Sequence, residues 1–130
     1  MKHLKGALIA LFGLSMMGVV QAAPMPVRDA SGRLTSSEGL SLYVYDRDTI
    51  GQASACVGPC AALWPPYLGG ADAKAMDGFS LIKRSDDGRL QWAWHGHPLY
   101  RYAGDSRPGE ISGDRINGVW HLARWNTASR

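Results

Sequence analysis

Hydrophobic positions come in short bursts along this chain, separated by stretches rich in Gly, Pro, Ser and Asp, and most bursts follow the period of a strand. Leu42-Tyr43-Val44-Tyr45 puts Tyr43 and Tyr45 on one face and Leu42 and Val44 on the other. Both faces are apolar, which predicts a central strand. Phe79–Arg84 and Leu90–Trp94 flank Ser85-Asp86-Asp87-Gly88, and an Asp-Gly between two such runs predicts a hairpin. His95-Gly96-His97-Pro98 predicts a further turn and Leu99-Tyr100-Arg101-Tyr102 a strand. After a Gly-rich polar loop from Gly104 to Gly118, Val119–Ala123 predicts a last strand with Val119, His121 and Ala123 on one side. Ala61-Ala62-Leu63-Trp64 has room for one helical turn, which Pro65-Pro66 ends. The expected fold is mainly β, a single small domain with little helix.

Two N-terminal segments stand outside that pattern. Lys2 and Lys5 precede an apolar run from Gly6 to Val20, followed by Val20-Gln21-Ala22-Ala23-Pro24. A basic start, a short apolar stretch and small residues predict a secretory signal peptide over residues 1–22, cleaved after Ala22. The run of 15 residues falls short of the roughly 20 that a spanning helix needs. No membrane anchor is expected after cleavage, nor acylation, since no cysteine lies near the cut. Residues 23–41 carry Pro24, Pro26, Gly32 and Gly39 with little apolar content, and predict a flexible lead or one weak strand around Val27.

Cleavage changes the charge balance. The full chain has 14 Lys and Arg against 11 Asp and Glu, a net charge of +3; losing Lys2 and Lys5 leaves 12 against 11, or +1. No run of three basic residues remains, which argues against nucleic acid as a partner. The expected location is periplasmic or secreted.

The chain also repeats itself. Leu42-Tyr43-Val44-Tyr45-Asp46-Arg47-Asp48 and Leu99-Tyr100-Arg101-Tyr102-Ala103-Gly104-Asp105 share Leu-Tyr-x-Tyr-x-x-Asp at an offset of 57, and Trp64 and Trp120 follow 16 and 15 residues after the Asp. Each unit alone is too small to bury its own face, so two pseudo-symmetric repeats, about 42–66 and 99–124 within a domain 42–130, are expected to share one core. Tyr43, Tyr45 and Asp48, with Tyr100, Tyr102 and Asp105, read either as a ligand platform or as aromatic core with an Asp that accepts backbone N–H bonds at the turn.

These repeats, Cys-x-x-x-Cys followed by Trp-Pro-Pro, Gln-Trp before an aromatic and a turn into Pro-Leu-Tyr, and the closing Gly-Val-Trp-His resemble an exported bacterial "secreted repeat", lipoprotein-like family of unknown function. The resemblance covers roughly Gly39 to Arg124. It implies export and a shared fold, and supplies no activity. The chain departs from the family in lacking a lipid-bearing cysteine and in placing His95 and His97 at a turn.

Candidate chemistry is sparse. Cys56 and Cys60 read as a disulfide in an oxidising compartment, bridging the Val57-Gly58-Pro59 turn. The alternative is a thiolate site for copper, completed by His95, His97 or His121. His121 on an apolar strand face also reads as a hydrogen-bonded core residue, and His95 and His97 as turn residues. Asp105, Glu110, Ser112, Asp114 and Asn117 crowd one loop without meeting a calcium-loop pattern. No nucleophile elbow, zinc-protease motif or phosphate loop is present. The expected function is a non-enzymatic module with no cofactor, binding a small ligand or envelope component through Trp92 and Trp94 beside the Tyr and Asp residues. Stacked rings with polar tips suit sugar or peptidoglycan fragments. A copper-binding or electron-transfer accessory is the alternative, and a hydrolase comes last.

Overall fold

The computed structural model describes residues 22–126. Short strands dominate: β1 (Val27–Arg28), β2 (Leu34–Thr35), β3 (Tyr43–Tyr45), β4 (Phe79–Lys83), β5 (Leu90–Trp94), β6 (His97–Pro98) and β7 (Trp120–Leu122), with one α-helix among the described residues, α1 (Pro59–Leu63), and a 3-10 turn at Ile116–Gly118. β1 pairs with β2, β3 with β7, and β4–β5–β6 form a sheet of three, all antiparallel. The β5–β6 turn is tighter than the sequence suggests. Only His95 and Gly96 lie outside the strands, both left-handed at φ 45° and 81°, the conformation a two-residue hairpin turn requires.

The two repeats are interlocked. Tyr43 and Tyr100 exchange both backbone hydrogen bonds, at 2.8 and 3.0 Å, and so sit face to face at the centre of the duplication. On one side of this pair β3 takes β7 as its neighbour, with Tyr43 opposite Leu122, Val44 opposite His121 and Tyr45 opposite Trp120. On the other side the strand around Tyr100 takes residues 64–67 from the first repeat. Arg101 N–H donates to Pro65 O at 2.8 Å, Tyr67 N–H to Leu99 O at 2.9 Å, and Pro66 bridges Tyr100. The Trp segment of each repeat therefore pairs with the Tyr strand of the other. Pro65 and Pro66 obscure this in the sequence because proline contributes carbonyls but no N–H to a ladder.

The preceding hairpins belong to the repeat too. Leu34 N–H reaches Ala123 O at 2.9 Å as Trp92 N–H reaches Tyr67 O at 2.8 Å, and Trp125 N–H reaches Gly32 O as Gly69 N–H reaches Leu90 O. Strand alternation sends the two faces of the Tyr strands into separate apolar clusters. Leu42, Val44 and Leu99 join Leu34, Tyr67, Phe79, Trp92 and Trp94; Tyr43 and Tyr100 join Trp64, Trp120, Leu122 and Cys56. Trp64 and Trp120 stack face to face in the second cluster, centroids 3.8 Å apart and planes 4° from parallel.

Residues 23–41, expected as a flexible lead, are built into the fold, and the weak strand around Val27 is β1. Ala23 N–H donates to Leu68 O at 2.7 Å, Trp92 Nε1–H to Ala23 O at 3.0 Å, and the Tyr67 hydroxyl to Pro24 O at 2.9 Å. Polar composition concealed this because much of the anchoring uses the backbone of the lead, beside the one fully buried apolar side chain of Leu34 and the packing of Ala23 and Met25. The β1–β2 turn is likewise organised by one side chain. The Asp29 carboxylate accepts from the backbone of Ser31 and Arg33 at 2.8 and 2.9 Å. Burial alone would raise it, but hydrogen bonds from Ser31 and Arg33 hold it down at about 2. The expected signal peptide, but for Ala22, lies outside the described residues. Among the described residues no helix is long and apolar enough to cross a membrane.

Candidate functional site

The Tyr and Asp positions of the repeat meet across the duplication. The Tyr43 hydroxyl donates to Asp105 Oδ2 at 2.5 Å, and the Tyr100 hydroxyl donates to Asp48 Oδ2 at 2.7 Å. Each Asp also closes its own loop, Asp48 Oδ1 accepting from Ala55 N–H at 2.8 Å and Asp105 Oδ1 from Ser112 N–H at 3.0 Å. Both phenols are fully buried. Burial first, then a carboxylate neighbour, pushes the ionisation of each far above the ordinary tyrosine value. They act as neutral donors.

The two Asp differ in surroundings. Asp105 is 5% exposed, whereas Asp48 lines a cleft of about 580 Å³. Around it stand Asp46, His97, His121, Asp114 and Arg115, with Val44 and Ile50 as apolar lining. Burial pushes the Asp48 carboxyl up, against the pull of the Ala55 N–H and the Tyr100 hydroxyl. Burial pushes His97 down, against the charge of Asp48. His121 Nε2 lies 2.7 Å from Asp46 Oδ2 with both side chains partly exposed, at 35% and 50%. A pair so exposed contributes about 0–1 kcal/mol to stability.

The duplication supplies an internal control for this cleft. Asp46 N–H donates to Val119 O at 2.8 Å, and its counterpart Ala103 N–H donates to Leu63 O at 2.9 Å. His121, next to Trp120, corresponds to Pro65, next to Trp64. The second copy thus builds the same strand pair with Ala103 and Pro65, and the fold has no need of a carboxylate and an imidazole there. Two profile matches to a secreted repeat of unknown function, over residues 26–67 and 81–124, coincide with the two interlocked units, hairpins included. The chain belongs to this secreted-repeat family. Membership supports export, as the sequence resemblance implies. Neither a curated protein nor a solved structure matches the chain.

In this secreted-repeat protein several expected site residues lie elsewhere than predicted. Trp92 and Trp94 are each 2% exposed, so the expected ligand surface is core. Phe79 packs against both rings, and Trp125 lies over Trp94 at 4.6 Å between centroids. Strand alternation exposes one face of a hairpin only where nothing covers it, and here the lead covers Trp92 and Trp125 covers Trp94. Tyr45 and Tyr102 flank the Trp stack, Tyr45 stacking on Trp120 at 4.1 Å and Tyr102 tilted on Trp64 at 4.5 Å. The Tyr rings are therefore an aromatic core, with Tyr45 alone reaching the cleft.

Cys56 and Cys60 form a disulfide, the first of the two readings of the pair, and while it is closed neither thiolate is available to a metal. His95 stays in its turn, its ring 4.2 Å from that of Trp94, while His97 and His121 reach the cleft. Among the described residues no three His, Cys, Asp or Glu side chains are grouped to hold a metal ion. His121 is not a core residue; its partner is Asp46. Sequence reasoning missed Asp46 and the buried Arg84, which donates to Gln91 Oε1 at 2.9 Å, Cys56 O at 3.1 Å and Asp86 Oδ2 at 2.7 Å. Aligning the repeats position by position was the available signal for Asp46, since it falls opposite Ala103.

Proposed function

We propose that this is an exported, non-enzymatic binding module of the bacterial envelope. Its ligand site is the cleft beside Asp46 and His121, and its ligand is hydroxyl-rich, of the sugar or peptidoglycan-fragment class. The observation that carries this reading is the Asp46–His121 pair on a cleft wall whose duplicate has Ala103 and Pro65. Side chains that the fold does not require, at a concave site, are where a ligand acts. The chemistry suits polyols: the carboxylates of Asp46 and Asp48 accept O–H bonds, Arg115 donates, and Val44 and Ile50 offer apolar surface to ring C–H groups. Work in the periplasm or beyond the cell follows from export.

Titration of the labelled protein with soluble muropeptides, followed by NMR, tests the reading. Saturable shifts are expected at Asp46, His97 and His121, and Asp46→Asn combined with His121→Gln is expected to weaken binding about tenfold, which corresponds to about 1.4 kcal/mol. Shifts confined to other surfaces, or none at all, overturn it.

A further inference from the structure

Of the two Asp loops, the one that lines the cleft with Asp48 carries a device that its duplicate, which lines it with Asp114 and Arg115, lacks. In the duplicate, Gly113 N–H donates directly to the Tyr43 hydroxyl at 3.2 Å, and Tyr43 donates to Asp105. In the Asp48 loop the corresponding N–H belongs to Cys56, eight residues after Asp48 as Gly113 is eight after Asp105. Cys56 N–H donates to Ser54 Oγ at 3.3 Å, Ser54 hydrogen-bonds the Tyr100 hydroxyl, and Tyr100 donates to Asp48 at 2.7 Å. A hydrogen-bonded chain thus runs from the backbone N–H of a bridged cysteine to the cleft wall. The fold has no need of a bridge at this position, because the duplicate loop closes at Gly113 without cysteine. A Cβ on Gly113 would meet the Trp64 ring at 2.8 Å, so that loop also excludes one.

We propose that the Cys56–Cys60 bridge is a redox control on the cleft: closed, it holds Asp48 in the wall through Ser54 and Tyr100; opened by a dithiol, it releases that wall. As a control of binding, this rests on the cleft reading above. Cys56 has no exposed surface, whereas Cys60 is half-buried on α1, packed against the edge of the second cluster, and is the more accessible residue of the two. A thiolate of the reductant bonds to Cys60 Sγ, the bridge breaks, and Cys56 leaves with the electron pair and takes a proton. The reductant's second thiol then displaces Cys60, which takes a second proton, and the reductant departs as its own disulfide. Ser54 and Tyr100 are positioning residues in this scheme.

Carboxyl NMR of the whole protein, oxidised and then reduced with dithiothreitol, reads the coupling without any ligand. The Cys56→Ser/Cys60→Ser variant stands for the reduced state. Asp48 is faced by Tyr100, His97, Arg84 and the Ala55 amide, and burial is the largest influence on it. Reduction is therefore expected to move its midpoint down toward the ordinary carboxylate value, and that of His97 up. Tyr100→Phe in the oxidised protein is expected to move Asp48 the other way, because it removes a donor and keeps the burial. An Asp48 midpoint unchanged by reduction overturns the proposal, and so does global unfolding on reduction, which makes the bridge a staple of the whole fold. If Asp48 moves while muropeptides bind in neither state, the coupling stands and the ligand reading falls.

Discussion

Two acid–donor pairs of similar geometry have opposite meanings. Tyr43–Asp105 is sealed, and losing the hydroxyl strands both a carboxylate oxygen and the Gly113 N–H away from water. Tyr43→Phe is expected to lower stability by about 1–3 kcal/mol in urea denaturation, the cost of leaving buried polar groups unsatisfied. Asp46–His121 lies partly in solvent, and Asp46→Asn is expected to stay within about 1 kcal/mol of the parent. If Asp46→Asn costs as much as Tyr43→Phe, the fold does need Asp46, and the comparison with Ala103 loses its force. The positions of the Tyr and Asp residues were legible from their spacing. Which Tyr meets which Asp was not, because the partners lie 62 and 52 residues apart and the spacing is blind to the exchange.

At the scale of elements, β3, the β4–β5 hairpin and β7 were legible, because aromatic and β-branched runs bounded by Gly and Asp have few other uses in a chain this size. Residues 22–26 were not, since besides packing Ala23 and Met25 against the core they contribute backbone carbonyls, which spacing does not reveal. They satisfy the Tyr67 hydroxyl and the Trp92 indole N–H, both of core residues. A chain that begins at Met25 is expected to lose about 2 kcal/mol or more, since each stranded donor costs about 1–3 kcal/mol. An unchanged thermal midpoint after that truncation would show that the segment merely rests on the domain.

For the molecule as a whole, interlocking decides how it comes apart. Each Trp segment is a strand neighbour of the other repeat, and the Trp64–Trp120 stack joins both. Neither repeat keeps its ladder if the other opens. Native-state hydrogen exchange is therefore expected to give one shared opening free energy for the Tyr43, Trp92, Tyr100 and Ala123 amides, each hydrogen-bonded across the ladders. A lower value confined to one repeat would mean that the halves unfold separately.

The sequence by itself determined the strand-rich class and the duplication, because periodicity and repetition are local or countable properties, and it left the two cysteines open between a bridge and a metal site. Only the tertiary structure decided that the repeats exchange strands, that Trp92 and Trp94 are covered, and that Asp46 and His121 share a cleft. Those outcomes depend on which surfaces meet, and a residue's burial is set by what packs over it rather than by its own chemistry.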